Sequence, residues 1–80
     1  MDIRIAPKMA IHNKEKLQKV SECACYFCYK VFSPSEITEW IDKEYDTAVC
    51  PHCSVDAVLP IYEEGEKDIA FLTKVHEYWF

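Results

Sequence analysis

Two Cys-x-x-Cys pairs, a Ser-Pro-x-Glu helix start between them and an aromatic-rich amphipathic segment at the end of the chain predict a small α+β zinc domain. The predicted knuckles are of the zinc-ribbon or treble-clef-like kind. They hold a short β element, a helix near 34–42 and a C-terminal helix. Eighty residues allow one domain, spanning 1–80. A chain this short buries a small core and commonly needs a disulfide, a metal or a partner subunit to hold it. Half of its residues are hydrophobic, which separates it from disordered chains.

The cysteines carry the strongest signal. Cys25-Tyr26-Phe27-Cys28 and Cys50-Pro51-His52-Cys53 are separated by 21 residues. Zinc takes four ligands in a tetrahedron, and two Cys-x-x-Cys turns deliver two converging sulfurs each. Cys25, Cys28, Cys50 and Cys53 are therefore the predicted metal ligands, with Zn2+ as the ion. Iron is the alternative, because rubredoxin-type sites use similar Cys-x-x-Cys and Cys-Pro-x-Cys knuckles. Both kinds of knuckle usually carry glycine after the second cysteine, where this chain has Tyr29 and Ser54. Either residue must accept the tight turn, or the turn is distorted.

The fifth cysteine, Cys23, reads as a half-buried free thiol; the sharper reading is a redox-sensitive thiol able to displace Cys25. His52 is read as packing around the sulfurs or facing solvent, since four cysteines complete the set without it. His12 and His76 have no nucleophile or carboxylate at a diagnostic spacing, and His76 is expected beside Tyr78 or Trp79. Tyr26 and Phe27 are expected to cover the sulfurs.

The remaining elements follow from local signals. Residues 1–11 alternate weakly and read as an extended arm. Asn13 can cap a short helix over roughly 14–20, with a strand as the competing reading. Ser33, Pro34 and Glu36 form a capping box, and Ile37, Trp40 and Ile41 then fall at helical spacing, which predicts the helix 34–42. Thr47-Ala48-Val49 reads as a strand entering Cys50. Val55, Val58 and Leu59 form the next apolar element, and Pro60 stops it. Pro51 weakly favours a short helix around the second pair, the feature that distinguishes a treble clef from a ribbon. Asp68 can cap the last helix, with Ile69, Leu72, Val75 and Trp79 on its inner face.

Charge and motifs narrow the function classes. Nine Lys and Arg against fourteen Asp and Glu give −5. Four bound thiolates and one divalent ion take this to about −7. No nucleic-acid binding is expected, because affinity for phosphate comes from cations. No apolar run is long enough to span a membrane, no export signal opens the chain, and a reducing cytoplasmic location is expected. No catalytic set stands out, and four thiolates close a zinc site to substrate. A protein-interaction or adaptor module, with a protein partner or a homodimer, is the leading reading. A rubredoxin-like iron electron-transfer protein is the alternative, and a treble-clef nuclease-like enzyme lies further off.

The order of motifs resembles a family of short bacterial cytoplasmic zinc-ribbon-like proteins with no established activity. The residues that carry the resemblance are Cys23-Ala24-Cys25-Tyr26-Phe27-Cys28, Phe32-Ser33-Pro34-Ser35-Glu36-Ile37, Trp40-Ile41-Asp42 and Thr47-Ala48-Val49-Cys50-Pro51-His52-Cys53, with Val55-Asp56 and His76-Glu77-Tyr78-Trp79-Phe80 beyond them. It spans roughly 12–80 and implies the same four cysteines as ligands and a cytoplasmic location. The family has glycines where Ala24 and Ser54 stand, a serine at Ala57 and a Gly-rich turn in place of 60–67. The resemblance supplies no reaction.

Overall fold

A computed structural model describes all residues, Met1–Phe80. Three short helices, α1 (Ala6–Met9), α2 (Lys14–Leu17) and α3 (Ile69–Trp79), surround five short strands. The strands are β1 (Cys23–Cys25), β2 (Val31–Phe32), β3 (Trp40–Ile41), β4 (Thr47–Ala48) and β5 (Val58–Pro60). All pairings are antiparallel: β1 sits between β2 and β5 in one sheet, and β3 pairs with β4 in another. Cys23, Ala24 and Cys25 of β1 are buried, as are all three residues of β5, so this pair is the centre of the core. Leu17, Leu72 and Val75 close over it from the helices.

The predicted arm 1–11 is not extended. A 3-10 turn at Ile3–Ile5 leads into α1, where Pro7 occupies the start of the helix rather than the end of a strand. Ala6 and Ala10 bury their small faces completely, which lets the turn lie close to the sheet. Pro at the first helical positions lacks only an N–H that would have no partner.

The predicted helix 34–42 is also corrected. Its capping box forms: Glu36 Oε2 accepts from Ser33 N at 3.1 Å, and Ser33 Oγ accepts from Ser35 N. The turn stops at Glu36, and Ile37 is already extended, with φ −75° and ψ 122°. Trp40 and Ile41 then pair with Ala48 and Thr47. Ile37, Thr38 and Ile41 are β-branched and fit a pleated surface. Pairing with 47–48 satisfies backbone groups that a free helix end would leave open.

Helix α2 exists but is shorter than 14–20, and Asn13 does not cap it. The Asn13 carboxamide is fully buried and crosses the molecule instead. It donates to Val58 O at 2.9 Å and Met9 O at 3.1 Å, and accepts from Ala48 N at 3.1 Å. One side chain thus ties α1, β4 and β5 together. Asn13→Ala strands a buried N–H and loses two donors, and is expected to lower stability by about 3 kcal/mol in a denaturant titration.

Helix α3 is present as predicted, with Asp68 at its N-cap position but no side-chain cap bond. Only Leu72 and Val75 of the expected inner face are buried. Ile69 is 68 % exposed, and Trp79 reaches sideways to donate from Nε1 to Ile3 O at 2.7 Å. No helix is long and apolar enough to cross a membrane.

Candidate metal centre

Each Cys-x-x-Cys pair sits on a turn that follows a strand or an extended segment. Two antiparallel contacts fix the turns relative to one another: β1 pairs with β5, and Tyr26 N donates to Ala57 O at 3.0 Å. Folding brings Cys25, Cys28, Cys50 and Cys53 into one group whose sulfurs all lie within 4.8 Å of one another. Cys25 and Cys53 sulfurs are 3.6 Å apart, and those of Cys28 and Cys50 are 3.7 Å apart. A disulfide needs about 2.05 Å. A tetrahedron with metal–sulfur bonds of about 2.3 Å has edges of about 3.8 Å. The observed spacing therefore fits four thiolates around one ion and excludes sulfur–sulfur bonds.

The two turns repeat each other at an offset of 25 residues. Tyr29 N donates to Cys25 O at 2.8 Å, and Ser54 N to Cys50 O at 2.9 Å. Cys25 N donates to Lys30 O and Cys50 N to Val55 O, both at 3.0 Å. Phe27 N points at Cys25 Sγ and His52 N at Cys50 Sγ, both at 3.4 Å. Amide donors aimed at sulfur stabilise thiolate charge. Tyr29 and Ser54 adopt left-handed backbone conformations, with φ of 67° and 66°. They accept the tight turn where glycine is the usual occupant. A side chain there costs about 1–2 kcal/mol. Ser54→Gly is expected to raise the unfolding midpoint by an amount equivalent to about 1 kcal/mol, with metal content unchanged.

Burial is uneven. Cys25 and Cys50 are buried, while Cys28 and Cys53 are half-buried. Burial pushes the Cys25 thiol far up and the Cys50 thiol up to about 11. Burial also acts to raise Cys28, but the Lys30 amide and the neighbouring sulfurs bring it below the ordinary value. A divalent cation at the centre is the chemical partner that lets all four ionise together. The donor set thus fits a metal ion.

Cys23 lies outside the group. It is fully buried rather than half-buried, its thiol points at Phe32 O at 3.4 Å, and burial pushes it up to about 12. That environment opposes the thiolate needed for displacing Cys25. His52 is half-exposed, stands 3.4 Å from Glu36 and meets Phe32 edge-on. It joins the second knuckle to the turn at Pro34–Glu36.

Two histidines sit differently from expectation. His76 packs against Phe27 and Tyr29, stacks on Phe80, and places Nδ1 3.1 Å from Tyr26 O. Helix α3 is thereby clamped onto the first knuckle. Tyr26 is buried against Phe80, and Phe27 is 41 % exposed.

His12 is not isolated. Its Nδ1 lies 2.8 Å from Asp46 Oδ1, its N–H donates to Thr47 Oγ1, and Thr47 donates to Asp42. The sequence separation of 34 between His12 and Asp46 hides this seam from the sequence, since nothing marks the turn that brings them together. Hydrogen bonding to Asp46 holds the His12 imidazolium above its ordinary value.

No known protein family, no curated protein and no solved structure matches the chain.

Proposed function

We propose that the chain is a zinc-ribbon-type interaction module, in which a single Zn2+ held by Cys25, Cys28, Cys50 and Cys53 is structural and the surrounding surface binds another protein. The observation that carries this reading is the four-sulfur group built by two equivalent turns. Four thiolates fill a tetrahedron and leave no position for water or substrate, which suits a scaffold rather than a reaction. The chain continues from Cys53 through Ser54–Ala57 into β5 without a helix, which favours a ribbon over a treble clef.

Iron would fit the same sulfur spacing, and an electron-transfer protein is the second reading. The half-exposure of Cys28 and Cys53 is compatible with it, since electrons need a short path to the surface. Zinc is preferred because the acidic module needs no redox partner to account for its architecture. Elemental analysis of protein purified without added metal separates the two. One zinc per chain and a colourless solution support the scaffold. One iron with visible thiolate-to-iron absorption replaces it with electron transfer.

The partner is proposed to be a protein, or a second copy of the chain, in a reducing compartment. The charge of −5 opposes binding to phosphate backbones. Phe80 is 61 % exposed and lies against the half-exposed Phe27, and Tyr78 is 54 % exposed and lies against Trp79, exposed aromatics of the kind that mark interfaces. Sedimentation velocity of the wild type and a Tyr78→Ala, Phe80→Ala variant tests self-association there. A dimer lost in the variant without unfolding supports a homodimer. A monomer at all concentrations leaves the heterologous partner as the reading.

A further inference from the structure

Residues 12–14 and the turn that joins β3 to β4 meet along one seam. Lys14 N donates to Asp46 O at 3.0 Å, Ala48 N to Asn13 Oδ1 at 3.1 Å and His12 N to Thr47 Oγ1 at 2.8 Å. Thr47 is fully buried and donates its hydroxyl proton to Asp42. These bonds fix the two segments against each other, and the side chains of His12, Asp42 and Asp46 converge at the rim. His12 Nδ1 lies 2.8 Å from Asp46 Oδ1. One donor atom from each of the three residues lies within 4.8 Å of the others.

This donor set is one imidazole nitrogen and two carboxylates, drawn from two segments distant in sequence, and it shares no residue with the four cysteines. It is also short of positive charge. Asp42, Glu44 and Asp46 all stand in the turn 42–46, and Glu44 is close enough for its charge to act on the His12 ring. Neither Lys43 of the same turn nor any other lysine or arginine forms an ion pair with these carboxylates. Lys14, two residues from His12, holds its Nζ over the Trp40 ring instead, 5.1 Å from the centroid. The imidazole is therefore the only positive group paired with the turn, and it carries at most a single charge.

We infer that His12, Asp42 and Asp46 form a second metal site, which takes a divalent transition-metal ion that accepts mixed nitrogen and oxygen donors. Bonds of about 2.1 Å to a common ion put neighbouring donors about 3–3.5 Å apart. Small rotations of these rim side chains bring the three donor atoms to that spacing. Nδ1 gives up the proton it shares with Asp46 in order to ligate, as metal-bound imidazoles do. Water fills the remaining positions, because the site faces solvent. Three solvent-facing ligands hold an ion loosely, so the chain purified without added metal keeps only its thiolate-bound ion. When filled, the site ties the turn 42–46 to residues 12–14 at the entry to β4, the strand that leads to Cys50. This goes beyond the scaffold reading, since the two ligand sets are independent.

Mn2+ is the probe that separates the two sites, because thiolates select zinc whereas carboxylates and imidazole accept manganese. The full, zinc-loaded chain is titrated with Mn2+ at mildly alkaline pH, and paramagnetic broadening of the amide NMR signals is followed. His12, Asp42, Asp46 and Thr47 are expected to broaden first, with submillimolar affinity and with the zinc retained. His12→Asn and Asp46→Asn are each expected to weaken binding about tenfold or more. Asparagine tolerates the left-handed backbone of His12, φ 47°, so the first variant keeps the fold. Glu77→Gln, at an exposed carboxylate on α3, is expected to change nothing. Ca2+, which takes oxygen ligands, is expected to bind more weakly than Mn2+. Broadening spread evenly over all exposed carboxylates, an unchanged affinity in His12→Asn, equal binding of Ca2+, or no broadening at millimolar Mn2+ would each overturn the second site.

Discussion

Stripping the metal is expected to unfold the chain. The core is small, and Cys25 and Cys50 are themselves members of it, packed with Ala24, Val58, Leu59, Leu72 and Val75. The strands are two or three residues long, too short to persist without the turns that join them. Structural zinc contributes about 10–16 kcal/mol in comparable small domains, as large as the whole stability of a typical domain. With the ion gone, Cys25 and Cys50 become buried thiols without a cation, and the two knuckles lose the bond between them. Exhaustive chelation is expected to collapse the dispersion of the amide NMR spectrum and to abolish near-UV circular dichroism from the packed aromatics. A native spectrum after complete removal would show that the apolar core suffices.

The cysteine variants give the second large effect. Cys25→Ser, Cys28→Ser, Cys50→Ser and Cys53→Ser are each expected to lose tight metal binding, by 100-fold or more on the order of about 3 kcal/mol. The buried positions should also lose the fold, because a serine hydroxyl at Cys25 or Cys50 sits in a desolvated site. Cys23→Ser is expected to keep one metal per chain, because Cys23 lies outside the group of four sulfurs. Its cost is confined to packing a hydroxyl where a buried thiol stood, about 1–2 kcal/mol. Metal stoichiometry and thermal unfolding on the five variants check the series. Loss of metal in the Cys23 variant with retention in the Cys25 variant would reverse the assignment.

The four sulfurs were legible because Cys-x-x-Cys spacing encodes a local turn, and a local turn survives whatever surrounds it. The C-terminal helix was legible for the same reason: eleven residues of helical periodicity need no distant partner. Residues 34–42 show where local signals stop. Ser33, Pro34 and Glu36 do start a turn, but Trp40 and Ile41 have strand partners at 47–48 that no helical wheel displays. Ile37, Trp40 and Ile41 satisfy a helical spacing by coincidence, and the β-branching of Ile37, Thr38 and Ile41 is the local signal that opposes it. Asn13 has the chemistry of a helix cap but makes no cap bond. Only the folded chain places Ala48 and Val58 within its reach. The absence of glycine after each Cys-x-x-Cys pair is visible in the sequence, and Tyr29 and Ser54 meet it by adopting the left-handed conformation themselves.

X-ray absorption at the zinc edge of protein purified without added metal tests the central claim most directly. Four sulfur neighbours at about 2.3 Å, with one zinc per chain, is the predicted result. A first shell with fewer than four sulfurs, or with nitrogen or oxygen in place of any of them, would contradict the Cys25, Cys28, Cys50 and Cys53 site.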